Sequence, residues 1–441
     1  MACNESITAG HVRAPGFHRA LHAMEEEWRA AGFFEPSLTR LLTELFFTGC
    51  LMFLSLRWSG RRPLLGGFMM GLAILAHFRM AHESGHQKGF HRPDRWSSQQ
   101  LHTIAFYSIT NLGAGIDGLV WQKEHRLHHA YTMSDKDPQI VWRPDALMPL
   151  CALEEEPLNK FIARHPVGST LLRWQELFFL PTLMLVGKHW LAYLTYQRIP
   201  SASSDHIFAR KLLLSGHYAM QCVAMWLLVW RRSPHAASKL RRLRRCALWF
   251  VGCTVASSAV EPMFLFNHID TGRSHSLHQN DKIAQVCHTI NYAMRLPSWL
   301  PLDEYLIPVS YHIEHHLTPK MPDENLPYIT ADVIRLTSKY GLPYRTQPIE
   351  ILAWDFHLRL AAIPRDRWGG AGAIIPILLF GIVSACCWCH GRPWLWSRSA
   401  SVGAVLHDLE YDEKQSSWPC SGSSELGQGQ LELLKERLVS N

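Results

Sequence analysis

The sequence lacks several features typical of secreted or nucleic-acid-binding proteins. Its eleven cysteines have no paired spacing apart from one Cys-Cys-Trp-Cys run at 386–389, so a disulfide framework is not expected. The first sixteen residues contain no apolar core, which argues against a cleavable signal peptide there. The net charge of +7 is spread along the chain and therefore gives little support to nucleic-acid binding.

What the chain does contain is a set of long apolar runs separated by polar stretches. The runs 41–58 and 64–81 are each close to the roughly 20 residues that cross a bilayer. Gly60 and Pro63 lie in the short turn between them. This pattern predicts an all-α integral membrane protein with at least four transmembrane helices arranged in two hairpins. The further apolar runs are 175–197, 212–230, 246–267 and 371–389.

The polar stretches divide the rest of the chain. Residues 1–40 are expected to be a cytosolic segment with an amphipathic helix that starts near Phe17 and stops before Gly32 and Pro36. The membrane domain is expected to extend over 41–370. It is followed by the extra apolar segment 371–390 and by the polar, poorly ordered tail 391–441.

Histidines are concentrated in short boxes. The pattern H-x-x-H-H occurs at 125–129, in WQKEHRLHHAYT, and again at 312–316, in SYHIEHHLTP. With 26 histidines among 441 residues, one copy is expected by chance only about 0.1 times. A third box, HESGH at 82–86, falls at the end of an apolar run, where a spanning helix would leave the membrane.

The spacing of the boxes indicates a metal site. Residues three and four apart share one face of a helix, so each box directs its imidazoles towards one point. Eight imidazoles are too many for one zinc ion, which takes four ligands, and they fit two metals with positions left for oxygen. Imidazole binds iron, copper, nickel and zinc alike, so the ligand type leaves the metal open. His268, just past the run 246–267, is placed like His82 and supplies a ninth imidazole.

The boxes and their surroundings resemble the membrane fatty acid desaturases, in particular the front-end acyl desaturase branch. WQKEHRLHHAYTMSDKDPQI is similar to the second box of that branch, and YHIEHHLTPKMPDENLPYI, followed by KYGLPY, is similar to its third. FNHI is similar to its segment after the last spanning helix. The resemblance covers approximately residues 17–360.

The resemblance implies a cytosolic helical cap that holds a di-metal centre of two iron ions, with O2 as co-substrate. Asn267 and Asn291 match polar positions of the family and are implied to support the ligands, directly or through water. No catalytic residue is implied beyond the metal ligands. The implied metal ligands are His82, His86, His125, His128, His129, His268, His312, His315 and His316.

Carboxylates near the boxes are expected to orient ligands rather than to bind metal. Glu83 and Glu314 lie inside boxes, where outer carboxylates tune metal-bound imidazoles. Asp135 and Asp137 are expected to cap the turn before Pro138.

Two features depart from the front-end pattern. His312 stands where that branch usually carries glutamine, which weakens the inference on double-bond position and leaves the metal site intact. The chain also has no His-Pro-Gly-Gly haem motif of a fused cytochrome b5 domain. We therefore expect cytochrome b5 in trans, reduced by NAD(P)H through cytochrome b5 reductase, unless the natural protein has such a domain outside this sequence. The expected substrate is a fatty acyl lipid or an acyl-CoA, without a nucleic-acid partner.

The resemblance implies a multi-pass protein of the endoplasmic reticulum whose boxes face the cytosol, where the electron donors are. The basic run 231–245 lies between two apolar runs, and the positive-inside rule would instead place that loop in the cytosol. We nevertheless expect the boxes to face the cytosol, where the electron donors are, because all nine histidines must lie on one side of the membrane.

Alternative functions remain open. Other histidine-box membrane oxygenases, such as hydroxylases or sphingolipid desaturases, have the same ligand pattern. A membrane metal transporter or sensor belongs to a different class. Transporters place ionisable groups inside the spans near the bilayer midplane, whereas these histidines lie at span ends and in polar segments, which counts against that class.

Overall fold

The structure, a computed structural model, describes residues 16–88, 92–95, 97–134, 136–138, 175–233, 238–268, 280–293 and 310–362. Within these ranges the chain is mostly helical, as the apolar runs predict. Asp135, the apolar segment 371–390 and the tail 391–441 lie outside the described residues.

The elements follow one another with short connections where these are described. The helices are α1 (Phe17–Ala30), α2 (Leu38–Trp58), α3 (Pro63–His86), α4 (Gln99–Tyr107), α5 (Gly118–Ala130), α6 (Gln175–Thr182), α7 (Lys188–Ala202), α8 (Ile207–Met225), α9 (Lys239–Ser258), α10 (Val260–Phe266), α11 (Lys282–Cys287), α12 (His312–Leu317), α13 (Leu326–Lys339) and α14 (Ile349–Ala362). Segments of π-helix continue α4 over Ser108–Ala114, join α6 to α7 over Leu183–Gly187 and continue α8 over Trp226–Trp230; short 3-10 turns cover Pro93–Arg95 and Asp323–Asn325. The strands are β1 (Asn291–Ala293) and β2 (Thr346–Pro348), which pair in parallel.

Three helices within the described ranges are long and apolar enough to cross a bilayer: α2, α3 and α8 with its π-helical continuation. The predicted run 246–267 is divided between two helices. Helix α9 carries five basic residues in its first seven positions and ends at Ser258, and α10 begins at Val260. Because of these charges and this break, α9 has no apolar stretch long enough to cross a bilayer. The arrangement of four spans in two hairpins therefore remains a prediction.

The ends of α3 and α5 are fixed by local backbone signals. Pro63 occupies the first turn of α3, where its missing N–H costs nothing, and Gln87 ends the helix in the left-handed conformation (φ 55°). Asp117 caps α5 by accepting a hydrogen bond from the Val120 backbone N–H at 3.0 Å. Arg210 of α8 donates to both carboxylate oxygens of Asp117, at 2.9 and 2.5 Å, and fixes this cap.

Helix α3 packs directly on α9 through glycines. A Cβ atom at Gly67 would lie 1.9 Å from the Trp249 carbonyl oxygen, and one at Gly252 would lie 2.3 Å from the carbonyl oxygen of Leu64. Small residues at such contacts let two backbones approach closely, which is how membrane helices gain packing energy. The glycines therefore set the position of α3, which carries the first histidine box at its end.

Helix α12 is held between the histidines and a separate hydrophobic core. Ile313 and Leu317 of α12 are completely buried against α1 and α13, together with Phe17, Leu21 and Trp28 of the predicted amphipathic helix. The same short helix thus uses one side for packing and the other for its imidazoles.

Candidate metal centre

The nine histidines predicted as metal ligands lie close together and are buried. The least buried of them, His86, is 9% exposed. Four elements bring them together: the last turn of α3, helix α5, the turn after α10 and helix α12. The spacing predicts that each box directs its imidazoles towards one point. The structure shows this for His82 and His86, whereas the second and third boxes each direct their imidazoles towards two points.

The histidines form two groups of four. Group one is His82, His86, His125 and His315, and group two is His128, His268, His312 and His316. Within each group, one ligand atom from every residue lies within 4.8 Å of the others. Helices α5 and α12 contribute to both groups, so the two groups are neighbours.

His129 lies between the two groups. Its Nε2 atom is 3.2 Å from the Nε2 atom of His125 in group one. Its ring stacks on that of His316 in group two, with 4.2 Å between the centroids. His129 is therefore within reach of either group.

The outer nitrogens of three histidines of group two have acceptors that fix their tautomers. His128 Nδ1–H donates to the Asp137 carboxylate at 2.8 Å, and His268 Nδ1–H donates to the backbone carbonyl of His288 at 2.7 Å. The Thr132 hydroxyl donates to the His128 carbonyl at 2.9 Å, which leaves its oxygen, 3.3 Å away, to accept from His316 Nδ1–H. With the proton on Nδ1, each of these rings presents an unprotonated Nε2 atom to its group.

The inner nitrogens then face one another. His312 Nε2 is 3.0 Å from His268 Nε2 and 3.2 Å from His316 Nε2. In group one, the Nε2 atoms of His86 and His315 are buried without a hydrogen-bond partner among the described residues. Converging lone pairs without donors fit bound cations, because a cation satisfies several imidazole nitrogens at once.

Group one is supported by a buried ion pair. Lys88 and Asp323 are both completely buried, and the Lys88 ammonium donates to the Asp323 carboxylate. Lys88 Nζ also lies 3.2 Å from His315 Nδ1, and the carboxylate lies 3.8 Å from His82 Nδ1. Burial alone raises the pKa of Asp323, but the Lys88 ammonium and the contact with His82 outweigh it, so that the pKa is lowered and the carboxylate stays ionised.

Burial favours the neutral form of four of these imidazoles by lowering their pKa. It lowers the pKa of His129, His268 and His316 well below the usual range, and the neighbouring imidazoles lower it further. The pKa of His315 is lowered in the same way, by burial first and then by Lys88. Neutral imidazole is the form that binds metal.

The two predicted asparagines hold the elements that carry the histidines. The Asn291 amide donates to Glu314 at 2.9 Å and accepts from the backbone N–H of Ile313 at 2.7 Å. Tyr344 also donates to Glu314, at 2.6 Å. Asn267 donates to the carbonyl of Ile290 at 2.5 Å, beside His268. Glu314 is thus a buried partner of side chains that anchor α12, and burial raises its pKa although both hydrogen bonds oppose the shift.

Glu83 and Asp137, the other described carboxylates predicted near the boxes, have different partners. Glu83 accepts from Arg79 at 3.2 Å, one turn earlier on α3. Asp137 accepts from the Met133 backbone N–H at 2.9 Å, in agreement with the predicted turn, and also holds His128. Its contact with a histidine is a finding that the capping prediction did not include.

Besides Asp137, three further residues have contacts to the histidines that were not predicted from the sequence. Lys88 follows the first box by two residues, and Asp323 lies in the segment after the third, where the sequence PDEN marks only a turn. Thr132 follows the second box by one helical turn. The only sequence signal is this proximity to a box, because burial of Lys88 and its pairing with a carboxylate 235 positions away depend on tertiary packing.

Comparison with known proteins agrees with this site. The sequence profile of the family described as fatty acid desaturase matches residues 59–348. The chain belongs to that family.

Several proteins named as desaturases are similar over much of the chain. They include an acyl-lipid (8-3)-desaturase of Rebecca salina, 25% identical over 72% of this chain and 68% of the relative. Another acyl-lipid (8-3)-desaturase, from Thraustochytrium sp, is 25% identical over 76% of this chain and 72% of its own. A delta(8)-fatty-acid desaturase of Euglena gracilis is 23% identical over 64% of this chain and 63% of its own. They confirm the resemblance to front-end desaturases, and the desaturase is accordingly an oxidoreductase of lipid metabolism.

Proposed function

We propose that this desaturase is a diiron enzyme that uses O2 to introduce a double bond into a fatty acyl chain. The observation that supports this most directly is the division of the buried histidines into two groups of four, because a two-metal site needs two such sets of ligands. We propose all nine histidines as its ligands, in a catalytic domain that extends over 41–370.

The reaction would convert –CH2–CH2– and O2, with two electrons and two protons, into –CH=CH– and two molecules of water. Acid–base and nucleophilic side chains do not break an unactivated C–H bond, and two bound iron ions would supply that oxidising chemistry. The protein's own part is to hold neutral imidazoles in place and to exclude water. Asp137, Thr132 and the His288 carbonyl orient the rings of group two, and Lys88 with Asp323 flanks group one.

We propose that cytochrome b5, acting in trans and reduced by NAD(P)H through its reductase, supplies the electrons. The proposed location is the endoplasmic reticulum membrane, with the histidine groups on the cytosolic side. The basic residues 231–245 would then face the lumen, against the positive-inside rule. Protease protection of this loop in sealed vesicles tests the orientation: protection supports it, and cleavage contradicts it.

The reaction is tested by expression in yeast with a panel of fatty acids and analysis of the double-bond positions in total lipids. New double-bond isomers that are absent with His315→Ala support the proposal. Hydroxylated products would instead indicate a hydroxylase. Purified protein with exchangeable zinc, no iron and no new lipid would indicate a metal transporter or sensor.

The substrate carrier is tested in the same cells. The relatives named above include acyl-lipid desaturases, and we propose an acyl lipid or an acyl-CoA as substrate for this chain. New double bonds that appear first in phospholipids support the lipid form, and their appearance first in the acyl-CoA pool supports the CoA form.

A further inference from the structure

A dense group of basic side chains lies at the end of the molecule away from the histidines. Helix α3 has 24 residues and is therefore about 36 Å long, with the first histidine box in its last turns and the α2–α3 turn at its start. Arg245 of α9 donates to the Gly60 carbonyl in that turn, and Arg232 donates to the Leu56 carbonyl at 3.0 Å. We call this surface the basic face. Its members are Arg57, Arg61, Arg62, Arg231, Arg232, Lys239, Arg241, Arg242, Arg244 and Arg245.

The charge of the basic face is not balanced by acidic residues in the segments that form it. Neither 45–82 nor 206–260 contains a single aspartate or glutamate. Most of the ten side chains are exposed, and Arg242 and Arg245 are half-buried. Like charges held this close repel one another, so the face is suited to an anionic ligand.

Tryptophans and exposed leucines show which kind of anion fits. The Arg62 guanidinium lies 5.2 Å from the Trp58 ring, and Arg231 lies 5.4 Å from Trp226. Tryptophan is enriched at the boundary between a bilayer and water. Leu240 is 77% exposed, next to the basic residues that begin α9.

The exposed apolar surface continues from the basic face along α2, α9 and the continuation of α8. Leu243 of α9, Phe53 of α2 and Leu227 after α8 are 57%, 65% and 41% exposed. Apolar side chains beside cations match a phospholipid, whose phosphate and acyl chains are neighbours. A soluble polyanion such as a nucleic acid offers no partner for Leu240 or Leu243.

We propose that the basic face binds the headgroups of anionic phospholipids in the leaflet opposite to the histidine groups. The guanidinium groups contact the phosphates, since planar guanidinium matches phosphate in a two-bond geometry. The leucines of the first turns of α9 insert beside the acyl chains. The bound lipids hold the α2–α3 turn and the start of α9 together at the membrane surface.

The proposal is tested with the full-length protein in neutral detergent, by native mass spectrometry and thermal unfolding with added phosphatidylglycerol or phosphatidylcholine of identical acyl chains. We expect phosphatidylglycerol to remain bound and to raise the unfolding midpoint, and phosphatidylcholine to do neither. The effect should weaken as NaCl is raised, because exposed charges are screened. Equal binding of both lipids would overturn the proposal without any variant being needed.

Variants locate the site. In the quadruple variant R57Q/R61Q/R241Q/R244Q, we expect at least a tenfold loss of affinity for phosphatidylglycerol, given roughly fivefold per basic side chain near an anionic surface. The lysine version of the same four positions should keep most of the affinity, which separates loss of charge from misfolding. The matched control R19Q/R29Q/R335Q/K339Q removes four charges from α1 and α13 and should bind phosphatidylglycerol as the parent does. A control that loses as much affinity as the first variant would overturn the proposal.

The leucines distinguish a lipid from a soluble polyanion. Leu240→Ser with Leu243→Ser should lower phosphatidylglycerol binding severalfold although every charge is retained. A short duplex DNA should compete poorly. Effective competition by the DNA, together with unchanged lipid binding by the serine variant, would assign the face to polyanions and overturn the proposal. Each outcome is independent of desaturase activity, so it leaves the proposed function untouched.

Discussion

The two histidine groups differ in the residues that lie next to the outer nitrogens of their imidazoles. Group two rests on acceptors: the Asp137 carboxylate at 2.8 Å, the Thr132 hydroxyl and a backbone carbonyl. Group one is flanked by Lys88 and Asp323, a buried ion pair whose ammonium lies 3.2 Å from His315 Nδ1. The same ligand type is therefore held in two different electrostatic surroundings.

This difference has a chemical consequence for the proposed irons. A carboxylate or carbonyl that accepts from Nδ1–H makes the imidazole a stronger metal ligand. A nearby ammonium group does the opposite, because its positive charge disfavours a cation. We therefore expect group two to bind metal more tightly than group one, and each prediction below changes one side of this comparison.

The largest effect is expected from loss of a ligand. His315 and His316 are adjacent on α12 but belong to different groups. We expect His315→Ala and His316→Ala each to reduce desaturation to background and to lower the iron content from two to one per chain, with a different iron lost in each. Lipid analysis and metal analysis of the purified protein measure both effects. His22→Ala, at an exposed position on α1, is the control and should match the parent. A fully active alanine variant in either group would contradict the assignment.

The next effect concerns the ion pair of group one. Asp323→Asn leaves the Lys88 ammonium buried without its carboxylate, which should destabilise the fold by about 3–5 kcal/mol. Thermal unfolding in detergent measures this loss. The double replacement Lys88→Met with Asp323→Leu should recover much of the stability, since neither charge then remains buried. Asp94→Asn, in an exposed pair with Arg92, is the control and should change little. Equal stability of Asp323→Asn and the parent would show that the pair is not a stabilising feature of group one.

The boxes were predictable from the sequence because their geometry is local. A spacing of three or four residues fixes which imidazoles share a helical face, and His268 was found from its position after an apolar run. Assignment to a group was not predictable, since neighbours on α5 such as His125 and His128 separate into different groups. That separation depends on how α3, α10 and α12 meet α5.

The fold was predictable to a similar degree. Long apolar runs indicate helices, and α2, α3 and α8 are helices of spanning length. Hydropathy does not reveal where a helix breaks, and the run 246–267 is interrupted after Ser258. Nor does hydropathy reveal a buried lysine, because Asp323, the carboxylate that neutralises Lys88 in the interior, is distant in the sequence.

A smaller effect is expected from the carboxylate of group two. Asp137→Asn keeps an acceptor for His128 Nδ1–H but removes the negative charge, so the affinity of group two for iron should fall roughly 10–100-fold. Competition with a chelator followed by metal analysis measures this loss. The variant should lose the iron of group two at a chelator concentration at which the parent keeps it, while the iron of group one is released as in the parent. Asp205→Asn, at an exposed position, is the control. Equal weakening of both irons would show that Asp137 does not act on group two alone.

The smallest effect is expected at Thr132. Thr132→Val preserves the side-chain volume but removes the oxygen that lies 3.3 Å from His316 Nδ1. A hydrogen bond contributes about 0.5–1.5 kcal/mol, so the affinity of group two for iron should fall by roughly tenfold or less. The same chelator competition measures it, and Thr103→Val is the control, because that hydroxyl donates to the Gln99 carbonyl of its own helix, α4. If the hydroxyl fixes the His316 tautomer, Thr132→Ser should restore the affinity. A serine variant that behaves like the valine variant would instead indicate a packing role for the threonine methyl group.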